Sequence, residues 1–251
     1  MSSLHDCLRK ITILEVLIVL IALIGIFLLF NLFGYSISKD VVYIGIIFYF
    51  IYRLRFFGDE FKQDLHNIFS KISAKSLFFI VLVNVFFSYG MLYLSHFALN
   101  IPGFKELIFA PLFSITGVAG IFSVVVISPI SEELLFRGVF LNRLKLLVPT
   151  SFAILITSIL FGSLHSYGSV ISAIVFGVCM CIIYIKTKNI LTCIFAHFLN
   201  NLLAEFLVHI DTGNLIFTNS IFIALFSILA IVSLYLLIIS IRQEWKYINK
   251  R

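Results

Sequence analysis

Uncharged stretches of about 20 residues recur along the chain, and they constrain its fold more than any motif does. That length crosses the roughly 30 Å of bilayer hydrocarbon as a helix. Of the 251 residues, 61% are hydrophobic and 12% charged, against roughly 25% charged in soluble domains. No single soluble core of this size can bury so much apolar surface. The chain therefore reads as an all-α, polytopic membrane protein, one transmembrane domain over residues 1–251.

Hydropathy predicts about eight spanning helices, near 12–34, 41–57, 76–98, 112–147, 150–166, 169–186, 190–209 and 216–241. The segment from Phe57 to Lys75 is the long polar connection and is expected along the membrane surface. No cleavage site of small residues follows the first apolar run, which reads as a retained helix. Placing both termini inside puts Arg9, Lys10, Arg53, Arg55, Lys62, Lys71, Lys75, Arg143, Lys145, Lys186, Lys188, Arg242, Lys246, Lys250 and Arg251 on the inner side. Only Lys39 and Lys105 fall outside. An even number of spans in a cell membrane, with both ends cytoplasmic, follows from this bias. The net charge of +6 is loop charge that sets topology, since no basic domain with interleaved aromatics points to nucleic acid. Cys7, Cys179, Cys181 and Cys193 show no CxxC or zinc-knuckle spacing and read as reduced apolar fillers.

Ionisable groups in hydrocarbon are costly, so each is a functional candidate by default. Glu133 and Arg137 stand four apart and share a helical face, which suits an ion pair. Glu132 points away from Arg137, towards a cavity where a carboxylate can serve as general base or acid. Both glutamates equally suit the first turn of a helix restarting after Pro129, capped by Ser131. The turn at Val148–Pro149–Thr150 lies about 16 residues after Glu132 and about 16 before His165, roughly 24 Å along each helix. Antiparallel neighbours thus bring Glu132 and His165 to one depth, where they can hold a water directly or through a metal. Cys193, His197, Asn201 and Glu205 recur every four residues as one polar stripe. His197 and Asn201 in that stripe can donate to an oxyanion. Glu205 reads as a supporting partner, a distant metal ligand or a packing residue.

Taken in order, Glu132-Glu133…Arg137, Phe161…His165 and His197…Asn201 resemble the CPBP family of intramembrane proteases. That family includes the CAAX prenyl endopeptidases and bacterial bacteriocin-processing and Abi-like proteins. The resemblance spans about residues 110–205, which would form the catalytic core. It implies that Glu132 activates water with help from His165, that His197 and Asn201 stabilise the oxyanion, and that Glu133 and Arg137 are mainly structural. No cofactor is required by that scheme, although Glu132, His165 and His197 can also be read as ligands of a divalent metal such as zinc. They lack the paired histidines of an HExxH helix.

The expected function is hydrolysis of a peptide bond in a hydrophobic or membrane-associated peptide. A composition rich in Ile, Phe and Lys suggests a low-GC bacterium, where a prenylated substrate is not expected. A bacteriocin or signalling-peptide precursor is the expectation that the resemblance carries. The alternative is a non-catalytic immunity or regulatory protein that binds a peptide or sensor partner in the same cavity. A proton-relaying transporter would call for internal repeats, and none is found.

Overall fold

A computed structural model describes residues 3–35, 38, 40–55, 58–98, 118–165, 170–211 and 219–248, and among these there is no β-strand. Helix α1 (Leu4–Leu8) precedes the long α2 (Ile13–Leu32), followed by α3 (Asp40–Leu54), α4 (Asp59–His66) and α5 (Ala74–Ala98). A helical rod over 118–144, α6, leads to α7 (Thr150–Ser163), α8 (Val170–Thr187), α9 (Ile190–Ile210) and α10 (Ser220–Ile248).

Among the described residues, length and composition let five helices cross a membrane: α2, α5, α8, α9 and α10. The pair α3–α4, bent by 111°, makes a sixth if counted as one span. The expected count of about eight is not confirmed among the described residues. The stretch expected as a span over 150–166 is a 14-residue helix, about 21 Å long and too short for the hydrocarbon. The stretch expected over 112–147 is α6, whose helical geometry changes along its length, and residues 112–117 lie outside the described residues.

Those changes in α6 have a local cause. Pro129 has no N–H to offer the Val125 carbonyl, and the turn before it widens into a π-helix over Ser123–Ile127, where the Ser128 N–H reaches the Ser123 carbonyl. A second π-helical stretch, Leu134–Leu141, follows the glutamates. Wide turns of this kind inside α-helices are frequent at functional sites.

Packing follows side-chain size. Gly90 of α5 lies so close to α10 that a Cβ on it would sit 1.9 Å from the Ala230 Cβ; small residues admit this approach between membrane helices. Gly177 of α8 rides on Ser158 of α7, its nearest backbone neighbour there 3.1 Å from where a Cβ would be. Helix α2, by contrast, buries only Val16, as an apolar helix facing lipid does. At its start Glu15 meets Arg53 at 3.3 Å and accepts from the Tyr49 hydroxyl, pairing α2 with α3.

The residues before α2 are more than a loop. Leu4, Leu8 and Ile11 are fully buried, and Ser3 and Asp6 form a capping box at the start of α1. The Arg143 guanidinium donates to the Lys10 and Ile11 carbonyls, both at 2.7 Å. The surface segment after α3 is tied down through α9: Asn189 donates to the Asp64 carbonyl and Thr192 to the Ile68 carbonyl.

Candidate active site

The site is built from α6, α7, α8 and α9. On α6, Glu133 and Arg137 are both fully buried and pair at 2.9 Å. The second guanidinium amino group donates to the Gly177 carbonyl at 3.2 Å, which the close approach of α8 brings within reach. The guanidinium also lies 4.5 Å from the centre of the Phe161 ring, a cation–π contact that compensates part of its desolvation.

Glu133 has a second partner. His197 of α9 holds Nδ1 2.8 Å from the same Oε1 that Arg137 binds, so Nδ1–H donates to the carboxylate. That bond fixes the ring and turns Nε2 towards Glu132, 3.9 Å from its Oε2. A histidine oriented by a carboxylate on its far nitrogen is the recurring arrangement of sites that move protons. Phe161 and Phe176 flank the His197 ring, with centroids at 5.9 and 4.9 Å.

Glu132 is the more accessible member, with 12% of its side chain exposed against none for Glu133. Ser128, one turn earlier, donates a short hydrogen bond to its Oε1. Tyr43 of α3 brings its hydroxyl to Ser128 and lies within electrostatic reach of Glu132. Above them Ser123 donates to Asp40 at the start of α3, at 2.5 Å. Helix α3 thus lines the glutamate from a side that the sequence motifs do not touch.

His165 lies just past the end of α7. Its Nδ1 sits 2.9 Å from the Phe161 carbonyl, and the proton on that nitrogen leaves Nε2 as a free lone pair. The ring packs on Phe161 at 4.7 Å and feels the charges of both Glu132 and His197. The expected depth match between Glu132 and His165 is therefore a neighbourhood shared with His197.

Asn201 donates to the Val124 carbonyl at 2.8 Å, using a backbone acceptor in the widened turn of α6. Its own carbonyl accepts from Asn200, which accepts in turn from the buried Asn84 of α5. One Asn201 amide hydrogen remains for a ligand. Cys193 and Glu205 complete the inward stripe of α9, both buried. Cys193 only donates weakly to the Met180 carbonyl, and Glu205 lies about 12 Å along the helix from His197, apart from the cluster. Among the described residues, no three His, Cys, Asp or Glu side chains converge closely enough to hold a metal ion. Glu132, His165 and His197 do not form a preassembled three-ligand site here.

Sequence reasoning missed Ser128, Tyr43 and Phe176 as neighbours of the site. Ser128 carried a signal, four residues before Glu132; Tyr43 and Phe176 stand in ordinary apolar helices and carried none. The dual role of Glu133 also escaped, because the spacing to Arg137 says nothing of α9.

Residues 114–203 match the family model described as Rce1-like, type II CAAX prenyl endopeptidase. The match covers the segment that bears all three motifs and agrees with the resemblance they carry, to a family of intramembrane endopeptidases. No curated protein and no solved structure matches the chain significantly.

Proposed function

We propose that the chain is an intramembrane endopeptidase in which Glu132 is the general base. The observation that carries this reading is the pair of adjacent glutamates with divided partners. Glu133 is fully buried and engages both Arg137 and His197 through Oε1, whereas Glu132 keeps 12% of its side chain exposed, with Oε2 3.9 Å from His197 Nε2 and within electrostatic reach of His165.

In the proposed mechanism, a water held between Glu132 and the free Nε2 of His165 loses its proton to Glu132 as it attacks the scissile carbonyl. The oxyanion develops towards α9, where Asn201 offers its unused amide hydrogen. His197, oriented through Nδ1 by Glu133, presents Nε2 to the same space. Donors fixed before the reaction stabilise a developing oxyanion without reorganisation. Glu132 then returns its proton to the leaving amine. Phe161, Phe176 and Phe136 form an apolar wall beside the cluster, suited to a hydrophobic or membrane-associated peptide. Within that class, the precursor of a bacteriocin or a signalling peptide is the proposed substrate, from the family resemblance alone.

The test compares peptides released from, and retained in, membranes of the native host carrying wild type or Glu132→Ala at matched protein levels. Fragments that vanish in the variant while their precursors accumulate support the protease and name its substrate and cut site. Coincident profiles, with a phenotype only on deletion of the whole chain, would support the binding or immunity role instead.

A further inference from the structure

Away from the catalytic cluster, a groove of about 920 Å³ opens between α7, α8 and the end of α10. That is near the upper end of the roughly 300–1,000 Å³ typical of small-molecule sites. Its walls are Leu155, Val178 and Ile239, and its rim carries Arg242, Trp245 and Lys246. Gly177, whose carbonyl binds Arg137, directly precedes Val178, so the groove and the cluster occupy different faces of α8.

The two rim cations are unbalanced. Arg242 and Lys246 stand one turn apart on α10 and are both exposed. Neither has a carboxylate within ion-pair distance among the described residues. The carboxylate between them in sequence, Glu244, is taken by Lys186 of α8 at 2.9 Å. That bridge also pins the end of α10 against the end of α8, which keeps the mouth of the groove in place.

Depth along the membrane decides the ligand. Val178 lies nine residues before Thr187, about 13 Å further into the membrane at 1.5 Å per residue. That is nearly the half-thickness of the hydrocarbon. The rim therefore sits at headgroup level, where Trp245 also suits the interface, and the apolar walls descend as far as one acyl chain reaches. A soluble anion would find the rim but have no use for the walls, and a neutral lipid would fill the walls but leave the cations unmatched.

We infer that this groove is a binding site for an anionic glycerophospholipid, its phosphate on Arg242 and Lys246 and one acyl chain along Leu155 and Val178. The inference is independent of the proteolytic reading, since none of these residues belongs to the catalytic cluster.

The experiment uses delipidated full-length protein in detergent, titrated at 0.15 M salt with dioleoyl phosphatidylglycerol, dioleoyl phosphatidylcholine or inorganic phosphate, bound ligand being counted by native mass spectrometry. Phosphatidylglycerol is expected to bind about twenty-five-fold tighter than phosphatidylcholine, roughly fivefold for each cation, and inorganic phosphate not measurably. The double variant Arg242→Gln/Lys246→Gln is expected to remove the preference while the protein keeps its thermal unfolding profile, both side chains being exposed. Val178→Trp, which fills the groove, is expected to weaken the phosphatidylglycerol complex while leaving the rim charges intact. Equal binding of the two lipids, a preference that survives the double variant, or phosphate binding as tightly as phosphatidylglycerol would each overturn the assignment.

Discussion

Ser128 and Arg137 act on neighbouring glutamates in different ways. The Ser128 hydroxyl holds one oxygen of Glu132 and leaves the other for water. Ser128→Ala is expected to lower kcat about tenfold with KM little changed, since a loosened base loses attack geometry and not substrate affinity. Ser128→Thr, which keeps the hydroxyl, should restore it; the assay is turnover of the peptide identified through the Glu132→Ala comparison. Arg137 has a structural task as well. Its removal leaves Glu133 buried without its counter-charge, and Arg137→Ala is expected to cost about 3–5 kcal/mol of stability. Glu133→Gln/Arg137→Met should cost less than the single change, because no charge is then stranded. Thermal unfolding in detergent micelles ranks the two, and the reverse order would show that the stranded Glu133 charge is not what destabilises the single variant. At this scale the Glu133–Arg137 pair was legible because four residues make one helical turn. The bond from Glu133 to His197 was not legible, because 64 residues separate the partners.

At the scale of the elements, the attachment of α1 is expected to depend on pH. The Asn142 amide donates to the Tyr184 hydroxyl at 3.1 Å, and that hydroxyl donates to His5 Nδ1 at 2.9 Å. His5 must be neutral at Nδ1 to accept. Burial, with Arg9 next, lowers its pKa from 6.5 to about 4. A folded-state pKa below the unfolded one means that docking is at full strength above about pH 6.5. It weakens as pH falls towards 4, where the undocked chain binds the proton first. Hydrogen exchange of residues 4–11, corrected for intrinsic rate, is expected to be faster at pH 4.5 than at pH 7.5 in wild type, with the difference lost in His5→Phe. An equal difference in that variant would move the effect to another group. Nothing in the pattern of residues 1–11 announced a docked helix. Five residues are too few for a periodicity, and contacts such as the fit of Leu8 against Gly138 show which side of α6 they cover.

Over the whole molecule, the strong bias of Lys and Arg predicts both termini on one side. In a cysteine-free background, a thiol placed at Ser38 is expected to react with an impermeant maleimide added to intact cells. One placed at Lys246 should react only after the membrane is opened. Labelling of both from outside would mean an odd number of spans. The uncharged runs determined by themselves that this chain is helical and crosses a membrane, because a buried backbone there must bond within its own segment. The spacing of Glu132, Glu133, Arg137, His165, His197 and Asn201 likewise pointed to a shared polar site, since helical periodicity is a local property. The second partner of Glu133, what lines Glu132 from α3, and how far the short α7 and widened α6 depart from plain spans were decided only by tertiary packing. Those outcomes depend on contacts between helices distant in sequence, such as Gly177 yielding its carbonyl to Arg137 and His197 turning to Glu133, and no local pattern encodes them.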